Sequence, residues 1–250
     1  MTEFIPVSSS GHLVLLHEVM DIDGGLLFDV SLHIGTLLAL TVYFWKDLVQ
    51  LVLGVLGKND YTHTARLIAL ATIPAVITGV MLQDAAEDEF RSVLLVSFNL
   101  IFVALLMLWA ESRAEKMKKL TELPKLTSRQ ALIMGLAQAA AVVPGVSRSG
   151  STITAGLFAG VDRVAATRFS FLLAIPITFG AILKVVASED AITTLNGDKS
   201  VFFVGIITAF LSGLFAIRFL LRFLSKHSLR VFAYYRIALG VLVLMLAWYH

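Results

Sequence analysis

Cysteine is absent from this chain of 250 residues, and charged side chains are scarce, at 15%. The lack of cysteine excludes disulfides and thiolate metal sites. Soluble domains carry about 25% charged residues, so low charge combined with 58% hydrophobic residues indicates a polytopic membrane protein. The net charge of +2 is too small to indicate nucleic acid as a partner. The start of the chain lacks the basic region of a signal peptide, so we expect no cleavable signal.

Long apolar stretches predict the membrane-spanning helices, because a hydrocarbon core of about 30 Å needs about 20 apolar residues in a helix. Such stretches lie at roughly 26–44, 65–82, 92–110, 168–187, 201–221 and 233–249. The linkers between them alternate between basic and acidic. Cytoplasmic loops are enriched in Lys and Arg, so the basic linker 111–130 is predicted to be cytoplasmic and the C-terminus to lie outside.

Two shorter apolar segments, 131–143 and 151–161, are separated by the sequence PGVSRSG. Both flanks of this region carry cytoplasmic-type charge, which predicts a re-entrant hairpin. Such a broken tip is tolerated at membrane depth only where it is buried in protein or lines a wet cavity. The sequence PVSSSG at residues 6–11 is similar to this tip, which indicates an internal repeat.

We therefore predict an all-α integral membrane protein that forms a single polytopic domain over residues 1–250. It would contain about six transmembrane helices and two re-entrant helical hairpins. The repeat units, about 1–110 and 131–250, would be joined by the cytoplasmic loop 111–130. Each unit holds three spans, an odd number, so the second unit is inverted relative to the first, as in many transporter-like cores.

Arg148 lies at the centre of the second tip and needs an anionic partner, because arginine at membrane depth costs about 2.5–3.5 kcal/mol on insertion scales. Nearby glycine N–H groups and hydroxyls are donors, and the guanidinium fork matches phosphate oxygens. The pattern predicts a phosphate cradle formed by Arg148, Ser147, Ser149, Gly145, Gly150 and Thr152. The alternative is a Gly/Ser hinge whose arginine snorkels to the interface or pairs with a carboxylate. The Gly-Lys-Ser/Thr ending of a Walker loop is missing.

The first tip carries a carboxylate, hydroxyls and an imidazole. Glu3 is a candidate ligand for a divalent cation, since Mg²⁺ uses one or two carboxylates together with substrate phosphates; alternatively, it is a solvated residue at a frayed N-terminus. Ser9 or Ser8 is a candidate nucleophile with His12 as its base. Alternatively, Ser8 caps a helix that starts near His12, and the two interpretations are compatible for different serines.

The stretches TEFIPVSSSGH, FDVSLHIGTLLAL and GLAQAAAVVPGVSRSGSTITAGL resemble the undecaprenyl-diphosphatase family, also called the bacitracin-resistance protein, and the resemblance covers essentially the whole chain. It implies hydrolysis of undecaprenyl diphosphate to undecaprenyl phosphate and inorganic phosphate in the bacterial inner membrane, with the site open to the periplasm. It also implies a divalent cation, Mg²⁺ or Ca²⁺. The family's glutamate falls on Glu3, its Ser/His segment on Ser8, Ser9 and His12, and its phosphate-binding arginine on Arg148.

One departure from the family pattern concerns the first hairpin. The family motif has another Glu or Gln four residues before the position of Glu3, and we expect the first hairpin to be truncated at its N-terminus here. A polyprenyl-phosphate flippase or secondary transporter with the same inverted-repeat core is the alternative function. The candidates for the attacking group are a serine and a water molecule, and a homodimer is the candidate assembly.

Overall fold

The computed structural model describes residues 1–9, 11–12, 25–57, 61–88, 92–187 and 199–249. Within these residues the chain forms nine α-helices and one short 3₁₀ turn at Leu123–Lys125, and the only strand-like pairing is a single bridge between Thr121 and Val161. The helices are α1 Gly25–Tyr43, α2 Trp45–Val55, α3 Thr62–Asp88, α4 Val93–Ala114, α5 Ser128–Ala140, α6 Arg148–Phe158, α7 Arg163–Val186, α8 Lys199–Leu224 and α9 Arg230–Tyr249.

Five of these helices, α3, α4, α7, α8 and α9, are long and apolar enough to cross a membrane. They coincide with five of the six expected spans. The first expected span, 26–44, coincides with α1, which bends by 81° into α2 after Tyr43. The bent α1–α2 pair has the length and composition of a broken span or of a re-entrant loop. The five long apolar helices confirm the prediction of a multi-pass helical membrane protein.

The second tip lies between two short helices, α5 and α6, which pack against each other. With 13 and 11 residues, they reach about 20 Å at about 1.5 Å per residue, too short to cross the hydrocarbon core. Helix α5 begins with a capping box, in which Thr127 and Gln130 satisfy each other's backbone N–H groups. The helix–loop–helix arrangement agrees with a hairpin, and its depth in the bilayer stays a prediction.

Helix α6 occupies the centre of the fold and contacts α4, α5 and α7, while α1 packs on α8 and α4 on α9. Close approaches between these helices depend on glycine. A Cβ on Gly135 of α5 would lie 2.7 Å from the Cα of Ala71 in α3, and one on Gly35 of α1 would lie 2.5 Å from the carbonyl oxygen of Ile206 in α8. Small residues at helix contacts are the usual way in which membrane helices reach such short separations.

Ion pairs fasten one end of the bundle, here called the basic end. Arg163 at the start of α7 pairs with Glu111, which is fully buried in α4. Arg230 at the start of α9 pairs with Glu115 at 2.7 Å, and Arg168 of α7 pairs with Asp47 of α2 at 3.0 Å. These contacts hold the C-terminal end of α4 against the N-terminal ends of α7 and α9.

Candidate active site

The two tips share one unusual backbone geometry. Ser8 and Ser147 both have φ of +70°, and within the described residues they are the only non-glycine residues with positive φ, a conformation that few non-glycine residues adopt. The Oγ of each serine accepts a hydrogen bond from the backbone N–H three residues later, Gly11 at 3.3 Å and Gly150 at 3.1 Å. Ser147 therefore caps α6, and Ser8 makes the same contact within the first tip; this local match supports the predicted repeat.

Glu3 joins the two tips. Ser9 Oγ donates to Glu3 Oε2 at 2.8 Å, and Arg148 Nη2 donates to Glu3 Oε1 at 2.5 Å across 145 positions of the sequence. The carboxylate side chain is only 25% exposed, so the interpretation of Glu3 as a frayed, solvated residue is wrong. Its segment is anchored by Phe4, which is fully buried and meets Phe171 of α7 edge to face at 5.6 Å.

The guanidinium of Arg148 is held at two points. In addition to the bond to Glu3, Arg148 Nη1 donates to Thr178 Oγ1 of α7 at 2.8 Å. The arginine side chain is 17% exposed, so it pairs with a carboxylate inside the protein and does not snorkel to the interface. Sequence reasoning missed Thr178, because a lone hydroxyl in an apolar helix carries no sign of its partner.

A cavity of about 300 Å³ opens beside these groups, which is at the lower end of the range of about 300–1,000 Å³ typical of ligand pockets. Apolar side chains from the second tip and α7 form part of its wall, among them Val142 and Ile177. Its main polar lining residues are Glu3, Ser9, His33, Ser147, Arg148 and Thr178. The residues Glu3, Ser9 and Arg148 thus line one space. There the guanidinium can bind an anionic group, and the carboxylate can accept a proton.

Two residues of the predicted cradle, Ser149 and Thr152, and the candidate nucleophile Ser8 are not among the described lining residues of this cavity. Ser149 Oγ contacts the carbonyl oxygen of Ile5 at 3.4 Å and so links the tips, and Ser8 is buried. Thr152 Oγ1 donates to the carbonyl oxygen of Arg148 at 2.7 Å, and it lies 2.5 Å from Ser170 Oγ of α7.

The two glycines of the cradle permit close packing. Gly145 has φ of +88°, and a Cβ there would lie 2.6 Å from the carbonyl oxygen of Val96 in α4. A Cβ on Gly150 would lie 3.1 Å from Nη1 of Arg236. Both glycines therefore allow the second tip to approach α4 and α9.

Arg236 is the buried support of the second tip. It is fully buried in α9, and its Nη2 donates to the carbonyl oxygens of Gly145 at 2.8 Å and Val146 at 3.2 Å, while its Nε reaches Leu100 at 3.3 Å. Asn99 Nδ2 of α4 adds a bond to the carbonyl oxygen of Pro144 at 2.9 Å. Sequence reasoning missed Arg236, although a charged residue inside an apolar run was the available signal.

His12 does not contact Ser9 among the described residues. Its Nδ1 lies 2.7 Å from the carbonyl oxygen of Ser8, and its Nε2 lies 2.7 Å from the hydroxyl of Tyr235, with the two rings stacked at 5.6 Å. The imidazole that lines the cavity is that of His33 in α1. Asp29 lies four residues before His33, a spacing that favours a pair on one helix face, but the side chain of Asp29 is outside the described part of the structure.

The residues around the cavity are compatible with one hard divalent cation. Glu3 is the only carboxylate among the described lining residues, and no group of three His, Asp or Glu side chains lies close enough to form a site by itself in the described ranges. Mg²⁺ is commonly held by one or two carboxylates, with substrate phosphates and water completing its shell. Glu3 and the neighbouring hydroxyls would supply part of such a shell, and oxygens of the substrate would have to supply the rest.

The fold and the cavity define a class: a multi-pass helical membrane protein with a buried, arginine-centred site between two loop tips. Comparison with known proteins narrows this class. Residues 1–242 match the model of the family described as bacitracin resistance protein BacA. The chain belongs to this family, which confirms the resemblance seen in the sequence.

Curated relatives agree with the family assignment. An undecaprenyl-diphosphatase from Acinetobacter baumannii is 40% identical over 251 residues, which covers 99% of this chain and 91% of that protein. One from Moorella thermoacetica is 40% identical over 250 residues, covering 98% of this chain and 93% of the relative. One from Methanosphaera stadtmanae is 39% identical over 264 residues, covering 99% and 94%.

Proposed function

We propose that this protein hydrolyses undecaprenyl diphosphate to undecaprenyl phosphate and inorganic phosphate. Family membership and the names of the relatives support this activity. The structural observation that carries it is the contact of Glu3 with both Ser9 and Arg148 in one cavity. A polyprenyl tail would lie among the apolar helices, and the diphosphate would enter between the tips.

Arg148 binds the terminal phosphate in this proposal. Its guanidinium offers two parallel donors, the geometry that suits phosphate oxygens. Because Thr178 Oγ1 accepts from Nη1, the fork is oriented before the substrate arrives. Stabilising charge on the transferring phosphoryl group is the main task in phosphoryl transfer, and a pre-oriented guanidinium in a mostly buried cavity performs that task.

Ser9 is the proposed nucleophile, and Ser8 serves as a helix cap. The Ser9 hydroxyl already donates to Glu3 Oε2, so its proton passes to that carboxylate when Oγ attacks the terminal phosphorus. The bond between that phosphorus and the bridging oxygen breaks, which releases undecaprenyl phosphate. Water then attacks the phosphorus of the phosphoserine, the bond between that phosphorus and Ser9 Oγ breaks, Oγ takes its proton back from Glu3, and inorganic phosphate leaves. His12 supports the first tip through Ser8 and Tyr235.

Glu3 would also be the protein ligand of a bound Mg²⁺ or Ca²⁺. Such an ion, when present, neutralises part of the charge on the diphosphate. The proposed location is the bacterial inner membrane, with the cavity open to the periplasm. The basic end, where Arg163 and Arg230 lie, would then face the cytoplasm, in line with the enrichment of Lys and Arg on that side.

The test is release of inorganic phosphate from undecaprenyl diphosphate by the purified protein in detergent. We expect turnover by the wild type and essentially none by Arg148→Ala, because the variant lacks the phosphate-binding fork. Arg222→Ala is the matched control, since Arg222 is exposed at the far end of α8. A flippase or transporter releases no phosphate in detergent, so lack of release by the well-folded wild type would refute the proposal.

A further inference from the structure

A second cavity, of about 420 Å³, lies at the basic end, away from the tips. It is enclosed by the C-terminal end of α4, the N-terminal end of α5 and the C-terminal end of α6. Helices α5 and α6 flank the second tip, and Arg148 begins α6, so this cavity lies at the opposite end of the helix pair from Arg148. Its main lining residues are Arg113, Arg129, Gln130, Met117, Ile133 and Phe158.

The polar wall of this second cavity is already satisfied within the protein. Gln130 Nε2 donates to Thr121 Oγ1 and to the carbonyl oxygen of Ala159, both at 3.0 Å. Gln130 Oε1 accepts from the backbone N–H of Thr127 at 3.0 Å. The wall is therefore built by contacts between the loop, α5 and α6, and it needs no ligand to hold its shape.

The charge of this second cavity is not balanced. Three other arginines of the basic end, Arg163, Arg168 and Arg230, pair with Glu or Asp. Arg113 and Arg129 make no ion pair within the described ranges, and the cavity has no carboxylate among its described lining residues. The nearby Glu115 is engaged by Arg230 at 2.7 Å. Two exposed arginines thus line one space that has no counter-charge among its described lining residues.

An exposed apolar surface continues from these arginines along the same helix faces. Trp109 lies four residues before Arg113 on α4 and is 61% exposed, and its ring meets Phe158 edge to face at 4.9 Å. Leu132 and Leu136 follow Arg129 on α5 at i+3 and i+7, and are 38% and 54% exposed. Residues at these spacings share a helix face. The basic cavity and the apolar surface therefore form one continuous amphipathic site.

We propose that this site binds an anionic phospholipid of the surrounding leaflet. The phosphate headgroup would contact Arg113 and Arg129, and the acyl chains would lie against Trp109, Leu132 and Leu136. A soluble phosphate would use only the arginines, and a zwitterionic lipid would leave the two positive charges unbalanced. Basic pockets between membrane helices are established sites for anionic headgroups.

The test measures lipid binding to the purified full-length protein in detergent by native mass spectrometry, with thermal stability as a second readout. Phosphatidylglycerol, phosphatidylcholine and inorganic phosphate are the probes. We expect phosphatidylglycerol to bind about tenfold or more tightly than phosphatidylcholine and to raise the melting temperature. The Arg113→Gln/Arg129→Gln variant should lose that preference, because two charge-assisted contacts are gone.

The control is Arg218→Gln/Arg222→Gln, which removes two exposed arginines from the same end of the bundle on α8. It should keep the preference for phosphatidylglycerol. If both double variants lose the preference equally, general surface charge explains the binding and the proposal is wrong. It is also wrong if inorganic phosphate alone reproduces the stabilisation, or if phosphatidylcholine binds as tightly. Should the double variant be unstable, the single variants Arg113→Gln and Arg129→Gln provide the same comparison.

Discussion

Thr178→Val removes one of the two bonds that orient the arginine of the active site. The hydroxyl accepts from Arg148 Nη1 at 2.8 Å, and Thr178 is 2% exposed. Valine has nearly the same shape, so the change removes a hydrogen bond without opening a hole. The bond of Arg148 to Glu3 is left in place, and the arginine keeps its charge but loses its fixed direction.

The expected cost follows from the nature of this hydrogen bond. Hydrogen bonds to charged groups contribute about 1.5–3 kcal/mol, and each 1.36 kcal/mol changes a rate about tenfold. Arg148 lines a cavity of about 300 Å³, so water can partly replace the lost oxygen. The lower part of the range therefore applies, and we expect kcat/KM to fall about tenfold to thirtyfold.

Phosphate release from undecaprenyl diphosphate measures the effect, and Thr167→Val is the matched control. Thr167 lies on the same helix and is fully buried, but its Oγ1 donates at 2.7 Å to the carbonyl oxygen of Arg163 within the helix. The control should keep wild-type kcat/KM. If Thr178→Val also keeps it while Arg148→Ala is inactive, Thr178 does not orient the guanidinium and the reasoning fails.

Three further sets of substitutions distinguish residues that take part in the reaction from residues that hold the two tips in place. Ser9→Ala should lower turnover about a hundredfold or more, because the attacking hydroxyl and its proton transfer to Glu3 are lost. Ser8→Ala should mainly lower the free energy of unfolding, by about 1 kcal/mol, because the bond to the N–H of Gly11 is lost. Equal turnover of the two variants would contradict this assignment. Arg236→Lys should lower the melting temperature and phosphate release together, because an ammonium cannot donate to carbonyl oxygens of both α4 and the second tip as the planar guanidinium does. An unchanged melting temperature would contradict this supporting role. Gly145→Ala should reduce activity more than Gly57→Ala. Both glycines have positive φ, but of the two only Gly145 would place a Cβ against a neighbouring backbone. A similar loss of activity in both variants would mean that backbone strain, and not this close contact, causes the loss.

Sequence patterns predicted the parts of this protein that depend on local composition. Apolar length located five spans, and the broken second tip was recognised because Pro144, two glycines and Arg148 interrupt an apolar segment. The contact of Ser8 Oγ with the backbone N–H of Gly11 also agrees with the capping position that the sequence predicted. Each of these features is determined by neighbouring residues, so a single sequence contains the information.

The parts that sequence reasoning missed depend on contacts between distant segments. Thr178 and Arg236 meet the second tip from positions 30 and 91 residues away from their partners. His12 shows the reverse case: its closeness to Ser9 in the sequence suggests a pair, whereas its ring bonds the carbonyl oxygen of Ser8 and the hydroxyl of Tyr235. Gln138 lies six residues before Pro144, a position that suggests a hydrogen bond across the cavity, but it is buried and its amide atoms have no partner among the described residues.

The contact between Glu3 and Arg148 explains how one cavity can be stable without substrate and reactive with it. A guanidinium inside a membrane protein is costly unless an anion balances it, and Glu3 provides that balance at 2.5 Å. An incoming diphosphate offers the arginine a second anionic partner with better bidentate geometry. In the proposed mechanism, Nη2 of Arg148 would then donate to the phosphate, and Oε1 of Glu3 would become available to a cation while Oε2 still accepts from Ser9. In this mechanism, the same carboxylate would balance the charge of the arginine before substrate binds and would take part in the reaction afterwards.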